Sequence, residues 1–211
     1  MLARVPRPRV YDPDTVLDAA ESLAVQAGPA AVTIRSVAAA AGVSNGAIYH
    51  TFKSRGGLVG RTWLRAARRF LAVQTGLVDA ALGIPSDGNT VAAVVAAAEA
   101  LAVFAEDHRQ SAQLLMQVER DQLIGGDTPE DIAGELLGLD DVLIDLMLRL
   151  SMSLWDRKDA GAVEVIRTCI VDLPSALLMS RNRLDSPTAR EQLRVVVRAV
   201  LAVGPPARPS R

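Results

Sequence analysis

Apolar positions recur at helical spacing along almost the whole chain. Val16, Leu17, Ala20, Leu23 and Ala24 fall on one face of a helix. That helix starts near Asp12-Pro13-Asp14, with an acidic cap and a proline in the first turn, and Gly28-Pro29 ends it. Residues 33–58 read TIRSVAAAAGVSNGAIYHTFKSRGGL, two short stripes either side of Gly42 with a basic exit. From Gly57 a long amphipathic helix runs towards Leu82, with Val59, Trp63, Ala67, Phe70, Gln74 and Leu77 along one face. The segment GIPSDGN at 83–89 breaks it. Further helices are expected over 90–106, 109–124, 128–155, 160–182 and 187–203. They are separated by Gly125-Gly126-Asp127, by residues 157–161 and by Asp185-Ser186-Pro187. Thr128, with Pro129 and Asp131 following, reads as a helix start. Pro174 should kink its helix near Ile170. No strand-like alternation and no internal repeat interrupts this pattern, so the fold class is all-α with about nine helices.

Composition sharpens that picture. Half of the 211 residues are apolar but only seven are aromatic, so Ala, Leu and Val must build the core. Charge divides the chain. Residues 1–70 hold ten Lys/Arg against four Asp/Glu, a net +6, and residues 71–211 hold 13 against 20, a net −7. A basic head on an acidic trunk is the footprint of a polyanion binder that touches its partner with one end. The basic start, MLARVPRPRV, has no apolar run behind it, and the most apolar stretch, Val91 to Ala105, holds Glu99 and is too short to span a bilayer. A cytoplasmic location and no membrane partner are expected.

The segment around Gly42 carries the chemistry. Thr33 can cap one short helix and Ser44 the next, and Gly42 stands where the turn needs positive φ. Ile34, Val37, Ala38, Val43, Ile48 and Phe52 face inward, leaving Ser44, Asn45, Gly46, Ala47, Tyr49, His50 and Lys53 exposed. In a helix-turn-helix the N-terminal part of the second helix reads base edges in the major groove. Asn45 can pair with adenine, Ala47 can meet a thymine methyl, and Gly46 lets the backbone come close. Tyr49, His50 and Lys53 suit phosphate or base contacts, and Thr33 and Arg35 can hold the flanking backbone. The amides near Gly56-Gly57, with Arg55, offer a further phosphate site at a helix start.

These residues resemble the DNA-binding domain of the TetR (tetracycline-repressor-like) family of transcriptional regulators. The matching pieces are the Thr33 cap, Ala38, Ala-Gly-Val-Ser at 41–44, Gly46, Tyr49, Phe52 and the basic Arg55 before Leu58. Family members usually carry lysine where this chain has Arg55, a change that keeps phosphate attraction. Asn45 and His50 fall where the family varies, so no operator sequence is implied. The resemblance implies an N-terminal three-helix helix-turn-helix domain over residues 1–56, with a basic arm at 1–11. A larger helical domain for ligand binding and dimerisation follows over 57–203, and a disordered tail over 204–211.

For the trunk the resemblance implies a dimer interface and a ligand pocket. The last two helices carry dense apolar faces, among them Ile166, Ile170, Leu173 and Leu177, then Leu193, Val197, Val200 and Leu201. The family pairs two such helices with a second subunit, and these residues are the expected homodimer interface. The alternative is that they bury only the monomer's own core. A ligand pocket is expected among the helices between Trp63 and Trp155, lined by Phe70, Phe104, Gln113, Met116, Gln117, Met147 and Trp155. Gln113 and Gln117 also fit a solvated face. With few paired polar groups in the trunk, any effector is expected to be mainly apolar.

An enzyme is not expected. The chain has two histidines, His50 and His108, one cysteine, Cys169, no Gly-x-Ser-x-Gly motif and no Gly-rich phosphate loop. No catalytic residue, metal site or cofactor is therefore assigned. Asp141 and Asp145 share a face next to Asp140, read as a solvated acidic face rather than a metal site. Arg4, Arg7 and Arg9 form either a minor-groove arm or a nonspecifically attractive tail. The expected function is a homodimeric repressor of a double-stranded DNA operator, released by a small effector. The alternative keeps the DNA binding, as a regulator or an architectural protein, and replaces the effector by a protein partner.

Overall fold

The computed structural model describes residues 12–84, 88–179 and 183–207. The basic segment 1–11 and the end of the tail, 208–211, lie outside them. The described residues form ten α-helices and no strand: α1 (Pro13–Ala27), α2 (Ile34–Ala41), α3 (Asn45–Phe52), α4 (Arg55–Leu82), α5 (Asn89–Asp107), α6 (Arg109–Gln117), α7 (Glu130–Leu137), α8 (Leu139–Trp155), α9 (Ala160–Arg167) and α10 (Pro187–Val203). The all-α class is as the periodicity implies.

Local chemistry sets the first three helices. Asp12 accepts the Asp14 amide at 3.0 Å and Pro13 occupies the first turn of α1. Thr33 and Ser36 cap α2 reciprocally: each side-chain oxygen accepts the other residue's backbone N–H at 3.0 Å. Gly42 adopts φ 68°, ψ 29°, the left-handed conformation a Cβ disfavours, and turns the chain into α3. Ser44 caps α3 by accepting the Ala47 amide at 3.1 Å.

The step from α3 to α4 is tighter than the sequence suggests. Lys53 has φ 66° and ψ −42°, and Ser54 N–H donates to Phe52 O at 2.7 Å, a three-residue γ-turn. Ser54 then caps the long helix by accepting the Gly57 amide at 2.8 Å. So α4 starts at Arg55, two residues before the expected Gly57. Position 57 tolerates nothing larger than glycine, because a Cβ there would lie 2.0 Å from Phe52 O.

Further along, long-range packing shortens or divides the expected helices. The helix expected over 109–124 stops at Gln117, where Trp63 Nε1 donates to Val118 O at 2.9 Å, and a 3₁₀ turn over Arg120–Leu123 follows. The helix expected over 128–155 divides at Gly138. Thr128 does not cap it, since the position before α7 is Pro129 and no side chain caps there. Thr128 instead lies against the start of α4, where a Cβ on Gly56 would meet its side chain at 2.7 Å. Beyond α9 the helix widens into π turns over Thr168–Asp172 and Ser175–Met179, on either side of Pro174. Proline supplies no N–H, and Ser175 Oγ donates to Val171 O at 2.7 Å beside it.

Two apolar clusters fill the fold, and α4 runs through both. The lower one joins Val16, Ala20, Val37, Ile48 and Phe52 of the first three helices to Leu58 and Leu64 of α4, Leu114 of α6 and Leu136 of α7. The upper one joins Val78 of α4 and Val94, Ala98 and Phe104 of α5 to Leu150, Ile166, Leu193 and Val197. By length and composition α5 is apolar enough to cross a membrane, against the expectation that this stretch is too short, but most of it is buried inside the fold. Its buried Glu99 pairs with Arg190 at 3.3 Å and Arg194 at 2.8 Å on α10. A second polar node ties α1 to the trunk: buried Glu21 accepts from Arg65 of α4 at 2.8 Å and from Ser111 of α6.

Candidate nucleic-acid interface and the cavity above it

With Ile48 and Phe52 buried, α3 presents the opposite side to solvent. Ser44, Asn45, Gly46, Tyr49, His50 and Lys53 are exposed there and Ala47 is half-buried; Tyr49 is 54% exposed, the one large hydrophobic side chain on that side. Thr33 and Arg35 are exposed at the start of α2. All ten expected residues, Arg55 at the start of α4 included, are thus exposed or half-buried. Thr33 and Ser44 already use their hydroxyl oxygens as caps. Arg55 differs in use. Its guanidinium donates to Val32 O at 2.6 Å and Pro29 O at 2.8 Å, clamping the loop before α2. The amides beside it are not an open anion site either. Gly56 N–H donates to the Asp127 carboxylate at 3.0 Å and Ser54 Oγ to the Asp127 carbonyl. The phosphate site expected there is filled by the chain's own acid.

The electrostatics of this end have a simple origin. Between Glu21 and Asp79 the sequence contains seven Lys/Arg and no acid. Three arginines of that stretch, all on α4, find carboxylates elsewhere: Arg61 on Asp131 and Glu135, Arg65 on Asp14, Asp18 and Glu21, and Arg68 on Glu135. Burial works against the Arg65 charge, but the three carboxylates outweigh it and raise its pKa. Among the described residues Arg35, Lys53 and Arg55, and Arg69 further along α4, form no ion pair, and Lys53 Nζ donates to His50 O at 2.9 Å. Positive charge is left uncompensated where α2 and α3 are exposed. That is the condition for attracting a polyanion.

Above the head, α4, α5, α6 and α8 and the widened segment around Pro174 line a partly open cavity of about 250 Å³. Trp63, Ala67, Phe70, Leu71 and Gln74 of α4 form one wall, with Ala97, Ala98 and Leu101 of α5, Leu115, Leu143, Ile170, Val171 and Met179 opposite. Arg120 and Asp140 line it too and are hydrogen-bonded to each other, which holds the Arg120 pKa above its ordinary value.

Residues 16–62 match the family described as bacterial regulatory proteins, tetR family. The head of the chain is therefore that of the bacterial tetR-family regulatory proteins. No curated protein matches the chain significantly. Solved structures resemble it over almost their whole length. A TetR-like transcriptional regulator from Rhodococcus sp. RHA1 is 20% identical with a TM-score of 0.64, covering 94% of this chain and 99% of its own. The TetR-family regulator PfmR from Thermus thermophilus is 20% identical with a TM-score of 0.63, covering 89% and 97%. The multidrug binding protein EbrR, solved with imidazole, is 18% identical with a TM-score of 0.61, covering 98% and 99%. At these identities the likeness shows that head and trunk together have the fold of such regulators, and no more.

In the TetR-like trunk several expectations need correction. Of the seven expected ligand residues, Phe70 alone lines the cavity. Phe104 and Met147 are buried core, Phe104 meeting Phe70 edge-on at 5.8 Å. Trp155 packs half-buried against that core, Gln113 and Met116 lie half-buried off the cavity, and Gln117 is exposed. Of the expected dimer residues, Ile166, Ile170, Leu193, Val197 and Leu201 are buried in the monomer's own core, so they cannot face a partner; Leu173, Leu177 and Val200 are half-buried at its edge. The large apolar side chains that α10 leaves outside are Val195, 57% exposed, and Val203, 87% exposed. Asp141 and Asp145 are exposed on α8. Leu71, Arg120, Asp140 and Met179 also line the cavity, and of these only Leu71 carries a local signal, its helical spacing from Trp63 and Ala67.

Proposed function

We propose that this TetR-family regulator is a homodimeric repressor that a small, mainly apolar effector releases from its operator. The observation that carries the reading is the position of the cavity: five of its lining residues belong to α4, the helix that leaves α3 after one γ-turn. An occupant that shifts α4 shifts α3 with it. A coupling of about 1–3 kcal/mol corresponds to a 5- to 150-fold change in operator affinity. The mainly apolar lining favours this reading over control by a protein partner, and imidazole bound to the similarly folded EbrR is in keeping with it.

In this reading the working division is a head over 1–56, with its arm at 1–11, and a trunk over 57–203. Asn45, Gly46, Ala47, Tyr49 and His50 meet base edges and phosphates in the major groove, and Arg35 and Lys53 hold the flanking backbone. The dimer forms through the outer stripe of α10, exposed Val195 and Val203 with half-buried Val196 and Val200, and with Leu173 and Leu177 beside it. The test measures operator affinity and melting temperature together for Tyr49→Ala. Binding should weaken at least about tenfold, the loss of one good contact, with unchanged melting because the ring is exposed. Unchanged operator affinity would remove α3 from the interface.

A further inference from the structure

Gln74 lies in the middle of α4, lines the cavity, and is 1% exposed. Its Nε2 donates to Ala97 O on α5 at 3.0 Å. That bond fixes the amide, because the flipped orientation would set Oε1 against a carbonyl oxygen. Oε1 is then left as an acceptor with no protein partner. Among the described residues only one other buried side-chain polar atom lacks a partner, Arg65 Nε, and Arg65 does not line the cavity. The remaining polar lining is spoken for: Arg120 and Asp140 neutralise each other, and Ser175 donates to Val171 O. The cavity therefore has apolar walls and no unpaired charge, and one of its lining residues, Gln74, carries a buried acceptor that no protein group uses. Buried acceptors are normally satisfied, so this one points to a donor supplied from outside the chain.

We infer that the effector is a compact, electrically neutral, mainly apolar molecule that presents one O–H or N–H donor to Gln74 Oε1. The inference rests on the effector pocket of the proposed function and adds the chemistry of its ligand. A charged ligand would have to break the Arg120–Asp140 pair or enter without a counter-charge. A pure hydrocarbon would fill the walls and leave Oε1 unpaired. The hydrogen bond also attaches the ligand to α4 itself, directly on the element that leads to α3.

The test titrates the full-length protein by calorimetry with the near-isosteric pair 4-butylphenol and 4-butyltoluene, and repeats it with Gln74→Leu and Gln74→Met. Wild type should bind the phenol about 3- to 10-fold more tightly, the range of one neutral hydrogen bond. Both variants should lose that preference while still binding the hydrocarbon. Equal affinities in the wild type, or a preference that survives both substitutions, would overturn the donor inference and leave the apolar pocket standing. Binding of neither compound to the wild type would overturn the pocket reading together with it. The wild-type comparison holds even where a variant fails to fold.

Discussion

Lys53 bends the chain where the head meets α4. A non-glycine residue at φ 66° in a γ-turn stores about 1–3 kcal/mol of backbone strain. Lys53→Gly should therefore raise the melting temperature while weakening DNA binding, and Lys53→Ala should lower the salt slope of binding by about one. A slope unchanged by both would show that this ammonium neutralises no phosphate. Cys169 makes a different case. Burial alone pushes its thiol up to about 12, so the native protein holds it protonated at neutral pH. The folded pKa is raised, so its contribution to stability is complete below the unfolded value near 8.5 and fades as pH climbs towards 12. At pH 8 a thiol reagent should label it only after unfolding, and rapid labelling of the native protein would contradict the burial.

Between elements, the head was legible in the sequence and the trunk was not, and the difference is one of range. Thr33 with Ser36, Gly42, and Ser44 with Ala47 interact within a few residues, so their spacing alone declares the caps and the turn. Gln74 with Ala97, Arg120 with Asp140, and Asp127 with Gly56 meet across distances that no local pattern records. The same limit explains α10. Leu193, Val197 and Leu201 read as an apolar face, but sequence does not say whether that face meets the molecule's own core or a second copy. Val197→Asp should abolish folding, because it buries a charge in the monomer core. Val195→Lys with Val203→Asp should leave a folded monomer, checked by sedimentation. A dimer that survives the double substitution would move the interface elsewhere. Gly57→Ala probes the γ-turn joint from the α4 side. Its Cβ cannot fit 2.0 Å from Phe52 O, so either α3 or α4 must shift, and both stability and operator affinity should fall. A variant with wild-type melting and DNA binding would show that the joint is looser than drawn.

At the scale of the whole molecule, one long helix links two chemistries. At its start Ser54, Arg55 and Gly56 are tied to the head and to Asp127 of the loop before α7. In its middle, Gln74 and Phe70 face the cavity. Arg65 between them binds Glu21 of α1, which also accepts from Ser111 of α6. In the proposed function a displacement of α4 carries the head with it. The central claim is that the exposed side of α3 reads DNA sequence from a twofold-symmetric dimer. Selection of bound sequences from a random DNA pool, followed by footprinting at physiological salt, tests it most directly. A palindromic site with half-sites about one helical turn, roughly 34 Å, apart or a multiple of it is the expected result. Weak binding that shows no sequence preference and disappears with added salt would contradict it.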